Sequence, residues 1–228
     1  MIDSVGLLPP RFPMNMNVLN MLCTKYIVSP GRLPETNLQI VQADQSSGLL
    51  TYLNPNCFPH AWFVDSIVVA KSKHEVFQIL NSPLFDARRT AILEKEPSVH
   101  PSRSDSAGAS VSTNNPHEIT LDAYASKASL LVLSEVYYPP AWKAFVDGKE
   151  TEIYKTNYVL RSIVVPPGKH SIEFRFDSPT YTLGYTITQS AWGITIVIIL
   201  IGVFRIPAVR SRLVRRREGK KAVSPAGT

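Results

Sequence analysis

Residues 118–176 read EITLDAYASKASLLVLSEVYYPPAWKAFVDGKETEIYKTNYVLRSIVVPPGKHSIEFRF, and they open on a period of two. Ile119, Leu121 and Ala123 alternate with Thr120, Asp122 and Tyr124, the pattern of a half-buried strand whose successive side chains point to opposite faces. Further strand runs follow at Ser129 to Tyr137, Trp142 to Val146, Thr151 to Tyr154, Tyr158 to Val165 and Lys169 to Phe176. Asp147-Gly148 predicts a tight hairpin, because Asp and Gly readily take the positive φ that a two-residue turn demands. Pro166-Pro167-Gly168 predicts another turn. Short strands at this spacing predict an antiparallel β module over 118–178, a small sandwich or jelly roll.

Upstream of this module the pattern loosens. Lys95 to Pro116, KEPSVHPSRSDSAGASVSTNNP, is rich in Ser, Pro, Asn and Gly, and 95–117 is expected as a flexible linker or long loop. Residues 1–94 read as a mixed α/β segment, with strand runs at Lys25 to Val28, Leu38 to Val41, Ala61 to Val64, Ser66 to Ala70 and Thr90 to Leu93. One helix is expected from Ser72 to Leu80. Ser72 caps it, Glu75 stands three residues on as in a capping box, Val76, Ile79 and Leu80 share a face, and Pro83 follows its end.

Downstream lies LGYTITQSAWGITIVIILIGVF, residues 183–204, an uncharged stretch holding eleven Ile, Leu, Val and Phe. At about 1.5 Å per residue it reaches roughly 33 Å, enough to cross a hydrocarbon core about 30 Å thick. A transmembrane helix is the expectation, and a lipid bilayer the first partner. Thr186, Gln189, Ser190 and Gly193 recur at i, i+3, i+4 and i+7, a stripe suited to other transmembrane helices of the same or a companion chain.

The formal charge of +6 sits almost wholly in the tail that follows, 205–228, where eight Lys or Arg face one acid between Arg205 and Lys221. The rest of the chain is close to neutral, so no basic surface is left to track a phosphate backbone, and nucleic acid is excluded as a partner. The stretch 166–182 just before the span carries Lys169 and Arg175, whereas the stretch of equal length just after it, 205–221, carries eight Lys or Arg. This asymmetry predicts a cytoplasmic C-terminus and an extracytoplasmic N-terminal part. The opening MIDSVGLLPPRFP lacks the basic n-region and apolar run of a signal peptide. The chain is therefore expected to be the end of a longer multi-spanning protein or a truncated frame, with a lone tail-anchored protein as the alternative.

Cys23 and Cys57 fall in the part placed outside, where a disulfide is permitted. Pairing and two small buried side chains both fit. The five histidines are scattered singly, so no metal is expected, and no sequence signature for a cofactor occurs. The densest chemistry lies in SEVYYPPAWKAFVDG, 134–148. Aromatic faces beside carboxylates can hold a sugar ring, which makes Glu135, Tyr138, Trp142 and Asp147 candidate carbohydrate contacts. The same side chains serve equally as the core and rim of a sandwich. Glu135 with Asp147 as an acid/base pair of glycoside chemistry is disfavoured, since no separation can be read from spacing.

The run from Ser134 to Phe176, followed by an apolar span, resembles the C-terminal end of the YfhO family of bacterial membrane proteins. The resemblance rests on Glu135, Tyr137, Tyr138, Pro139, Trp142, Lys143, Asp147 and Gly148, then on Asn157, Tyr158, Arg161, Val165, Pro166, Gly168 and His170. MLCTKYIVSP (21–30) and FPHAWFV (58–64) extend it upstream. His60 stands where the family carries Arg, and Pro140-Ala141 replaces a single Gly. The resemblance implies a piece of a large multi-spanning protein similar to GT-C glycosyltransferases. Such proteins use lipid-linked sugars and are implicated in glycosylating cell-envelope polymers such as lipoteichoic acid. Their catalytic acid lies on an early extracytoplasmic loop that has no counterpart here. This chain would then be an accessory extracytoplasmic domain with the last transmembrane helix, not itself an enzyme, with envelope glycan as a partner. The alternative is a non-enzymatic, membrane-tethered β domain that binds envelope or carbohydrate.

Overall fold

The structure, a computed structural model, describes residues 14–34, 37–97 and 99–221. The opening MIDSVGLLPPRFP and the end of the basic tail, 222–228, lie outside the described residues. The chain forms two units, Met1–Asp177 and Ser178–Thr228.

The first unit begins with helix α1 (Met16–Met21) and strands β1 (Tyr26–Ser29), β2 (Gln39–Ala43) and β3 (Leu50–Leu53). Strands β4 (Ala61–Val64) and β5 (Ser66–Val69) lead into helix α2 (Lys73–Leu80) and β6 (Thr90–Leu93). Then come β7 (Ala107–Asn115), β8 (Glu118–Ala125), β9 (Ser129–Val136), β10 (Trp142–Val146), β11 (Lys149–Thr151), β12 (Tyr154–Thr156), β13 (Leu160–Val165) and β14 (Gly168–Phe176). The second unit is helix α3 (Pro179–Lys221). The fold is mainly β with one C-terminal apolar helix, as the sequence predicts.

The strands form three sheets, in the orders β1-β3-β2, β11-β10-β14-β8-β7 and β4-β9-β13-β12-β6-β5. The five-stranded and six-stranded sheets pack face to face. Ile119, Leu121, Ala144, Ile172 and Phe174 from one meet Ala61, Leu131, Leu133, Ile163 and Val165 from the other. The far face of the six-stranded sheet is covered as well, with Trp62, Val64, Leu130 and Val132 packed on Met21 of α1 and on Val76 and Leu80 of α2. A strand buried on both faces has no solvent side to mark with polar residues. This explains why β9 opens on the unbroken run Leu130-Leu131-Val132-Leu133, each fully buried.

Helix α2 begins as the sequence predicts: Ser72 Oγ accepts the Glu75 N–H at 3.2 Å, and Glu75 accepts the Lys71 N–H at 2.7 Å. It bridges the parallel pair β5–β6, which cannot be joined by a tight turn and needs such a crossover.

Two expectations change. The stretch 95–117 is not a linker throughout, because its end forms β7, paired with β8 from Ala107↔Ala125 to Asn115↔Glu118. Small residues suffice there: Ala109 and Val111 pack against the sandwich core, while Gly108 and Ser110 face out. The run Thr151 to Tyr154 also divides. Residues 149–151 pair with β10, and residues 154–156 pair with β13, so two different sheets receive the two halves. Because β4, β5 and β6 share a sheet with β9, β12 and β13, the segments on either side of 95–117 build one sandwich between them.

The second unit is α3, of which Pro179–Gly202 is long and apolar enough to cross a membrane. The hydroxyls of Thr186, Thr188, Ser190 and Thr195 each donate to the carbonyl four residues earlier, at 2.8–2.9 Å, which satisfies them within the helix.

Candidate functional site

Glu135 lies near the end of β9 and Trp142 at the start of β10, strands of opposite sheets. The sandwich brings them together at one rim. With Asn114, Asn115, Pro116 and Ile119 they line a cleft of about 270 Å³, close to the lower limit for small-molecule sites, ~300 Å³.

Behind the cleft sits Arg161 of β13, with no exposed surface. Its guanidinium carbon is 4.1 Å from the Trp142 ring centroid and 5.0 Å from that of Phe174, so a planar cation is held against two aromatic rings. Its Nη2 lies 3.5 Å from Glu135 Oε2, and His60 Nε2 lies 3.2 Å from Glu135 Oε1. Both are ion-pair approaches; none of the three guanidinium nitrogens, nor His60 Nε2, is aligned for a hydrogen bond within the protein. Burial pushes the Arg161 pKa down to about 10, with Glu135 drawing it back up, so the side chain stays a cation at neutral pH. The His60 imidazole foremost, and then the Arg161 charge, hold Glu135 below the usual carboxylate range against the opposing effect of burial. Glu135, 31 % exposed, is thus a fixed anion that can accept hydrogen bonds from a ligand hydroxyl. Trp142 is anchored edge-on against Phe176, centroids 5.5 Å apart.

Of the four residues expected to touch carbohydrate, the fold brings together Glu135 and Trp142. Tyr138 lies in the turn before Trp142, with its carbonyl accepting the Ala141 and Trp142 N–H groups at 3.3 and 3.2 Å. Its ring is 52 % exposed, and it does not line the cleft. Asp147 is at the other end of β10, five residues from Trp142, or about 17 Å at ~3.4 Å per residue. It forms the predicted Asp147-Gly148 turn, with φ of 51° and 78°. Its carboxylate fastens that turn to β14, taking His170 Nδ1 at 2.6 Å and the Ser171 N–H at 2.9 Å. Glu135 and Asp147 do not form an acid/base pair. His60, Asn114, Asn115 and Arg161 join the site unforeseen. Arg161 shows in the sequence as a lone charge inside a mainly apolar strand and as one of the residues that carry the family resemblance.

The Asp147–His170 pair makes stability depend on pH. Asp147 raises the His170 pKa, and His170, followed by the Ser171 N–H, lowers that of Asp147. A histidine with a raised folded-state pKa contributes fully below its unfolded value of about 6.5, and the contribution is lost as pH rises through the folded value. The Asp147 contribution is present above about 3.9 and lost as pH falls through its lowered value. Thermal unfolding followed by circular dichroism should therefore show Tm falling between pH 6 and pH 9. Asp147→Asn should flatten that slope; an unchanged slope would remove the pair as its cause.

Among the described residues no three His, Cys, Asp or Glu side chains converge to hold a metal ion. Residues 100–188, from before β7 into the first part of α3, match the family model for bacterial membrane protein YfhO. Over that segment the chain is similar to the YfhO family. The YfhO-matching segment contains Asn114, Asn115, Glu135, Trp142 and Arg161, while His60 lies upstream of it. No curated protein and no solved structure matches the chain. A membrane family together with an apolar span of this length supports a location in a lipid bilayer.

Proposed function

We propose that the β-rich unit is an accessory extracytoplasmic domain of a YfhO-like membrane protein, and that it holds envelope glycan while lipid-linked sugar is transferred elsewhere in the full assembly. The observation that carries this reading is the cleft: an indole, a carboxylate kept ionised and two amides converge within the family-matched segment. That is the chemistry of saccharide recognition, with an apolar ring for the sugar face and acceptors and donors for its hydroxyls. The apolar part of helix α3, Pro179–Gly202, anchors the domain, with the basic residues 205–221 that follow it on the cytoplasmic side, as the charge asymmetry favours.

The external placement is tested with a cysteine at Ser102, an exposed position, in a background lacking Cys23 and Cys57. An impermeant thiol reagent should label it on intact cells; labelling only after lysis would refute the placement. For binding, the purified chain is titrated with a panel of envelope oligosaccharides that includes lipoteichoic acid fragments. Glu135→Gln removes a charged acceptor worth about 1.5–3 kcal/mol, so affinity should fall at least tenfold. Asn115→Ala should weaken binding too, and Asp147→Asn, at the far end of β10, should leave it unchanged. Equal affinities in all three variants would move the glycan away from this cleft.

A further inference from the structure

Helix α1 ends in a Schellman motif: the Thr24 N–H reaches the Leu19 carbonyl at 3.0 Å and the Cys23 N–H reaches that of Asn20 at 3.1 Å. Cys23 occupies the position that glycine or asparagine usually takes, with φ at 56°. The backbone therefore does not account for a cysteine here. The Asn20 carbonyl also accepts the Phe58 N–H at 2.9 Å. Two donors on one oxygen tie the residue after Cys57 to the nitrogen of Cys23. Adding the covalent links, the two Cα atoms are no more than about 10 Å apart, against the roughly 4.4–6.8 Å that a disulfide spans.

Further bonds hold the two segments together on either side. Asn54 Nδ2 donates to Asn20 Oδ1 at 2.7 Å and to the Thr24 carbonyl at 3.0 Å, and the Asn54 N–H donates to the Lys25 carbonyl at 2.8 Å. Burial, and then the neighbouring Cys57, push the Cys23 thiol up. Both cysteines are half-buried free thiols here. The whole chain has two cysteines, well separated in sequence, and the fold delivers both to one carbonyl.

We propose that Cys23 and Cys57 are a redox pair that closes to an intramolecular disulfide, stapling the end of α1 to the loop that carries His60. The oxidant is a disulfide: one S–S bond forms between the two protein sulfurs, both thiol protons are released, and two electrons reduce the oxidant's S–S bond to two thiols. The staple would fix the segment that sets His60 against Glu135. Closure in the cell rests on the extracytoplasmic placement above, because a cytosolic dithiol is kept reduced.

Two arms keep that placement separate from the pairing. In the first, cells making the full chain are quenched with acid, blocked with N-ethylmaleimide and digested without reductant; the Cys23 and Cys57 peptides should appear joined. In the second, the purified full chain in detergent is equilibrated in glutathione redox buffer. Cys23→Ser, Cys57→Ser and the double variant should each lower the oxidised Tm by the same amount, roughly 5–10 °C, and none should change the reduced Tm beyond a degree or two. Joined peptides in both arms uphold the proposal. Joining in buffer but not in cells upholds the pair and overturns the external placement. Two thiols that stay free in oxidising buffer, or that join only between molecules, overturn the pair itself.

Discussion

Replacing Arg161 with alanine should cost about 3–5 kcal/mol, the range seen when one partner of a buried ion pair is removed. The side chain fills the space between Trp142 and Phe174 and faces Glu135, so truncation leaves a void against two rings as well as an unbalanced carboxylate. Urea denaturation of the full chain in detergent, followed by tryptophan fluorescence, should show the midpoint falling with m unchanged. Lysine keeps the charge but not the planar stack, and should recover only part of the loss. Methionine should come closest to the parent, since an apolar side chain of similar length fills the gap and Glu135 keeps His60 and some water. If alanine proves as stable as arginine, the guanidinium is not a structural element of the sandwich, and the electrostatic account of Glu135 fails with it.

Asn157 should be the next most sensitive position, at about 2–4 kcal/mol for alanine. It is fully buried, sits at φ 48°, and acts as an extra rung between β12 and β6: its Oδ1 accepts the Ile92 N–H at 2.8 Å while its own N–H donates to the Ile92 carbonyl at 2.9 Å. Alanine leaves the Ile92 N–H unsatisfied in the interior, about 1–3 kcal/mol, and loses the polar side chain that lets asparagine tolerate the left-handed region, about 1 kcal/mol more. Glycine removes the second cost but not the first, so Asn157→Gly should lie between the two. Hydrogen exchange at the Ile92 amide separates the terms: protection should drop in both variants. Retained protection in Asn157→Ala would show that the side chain is not the partner that matters.

Much of the architecture was legible along the chain because strands show as short apolar or alternating runs bounded by turn residues. The runs Ala61–Val64, Thr90–Leu93 and Trp142–Val146 match β4, β6 and β10 at both ends, and the Asp147-Gly148 turn and the Ser72 cap formed as expected. What failed was composition used as a proxy for disorder. Strand β7 is built from Ala, Gly, Ser, Thr, Asn and one Val, yet its place at a sheet edge asks only for short side chains inward and backbone partners in β8. At the site, Glu135 and Trp142 were recognisable from the aromatic and acidic cluster. Asp147 was grouped with them because it is near in sequence, but an extended strand turns five residues into about 17 Å. Arg161 comes from another strand and His60 from the loop before β4, and nothing local announces that they meet Glu135.

The interleaving of the six-stranded sheet also sets a timetable for folding. Ala61 in β4 pairs with Leu133 in β9, far later in the chain, so β4 lacks its sheet neighbour until β9 has been made. At roughly 5–20 residues per second of synthesis that separation is a wait of about 4–14 s, with Trp62 and Val64 still uncovered on their sheet side. Pairings this distant in sequence are slow to close, and the unpartnered edge is open meanwhile to the wrong strand. Folding of this domain is therefore a race between completing the chain and aggregation, in which β4 stays vulnerable until β9 emerges while β1–β3 pair among themselves.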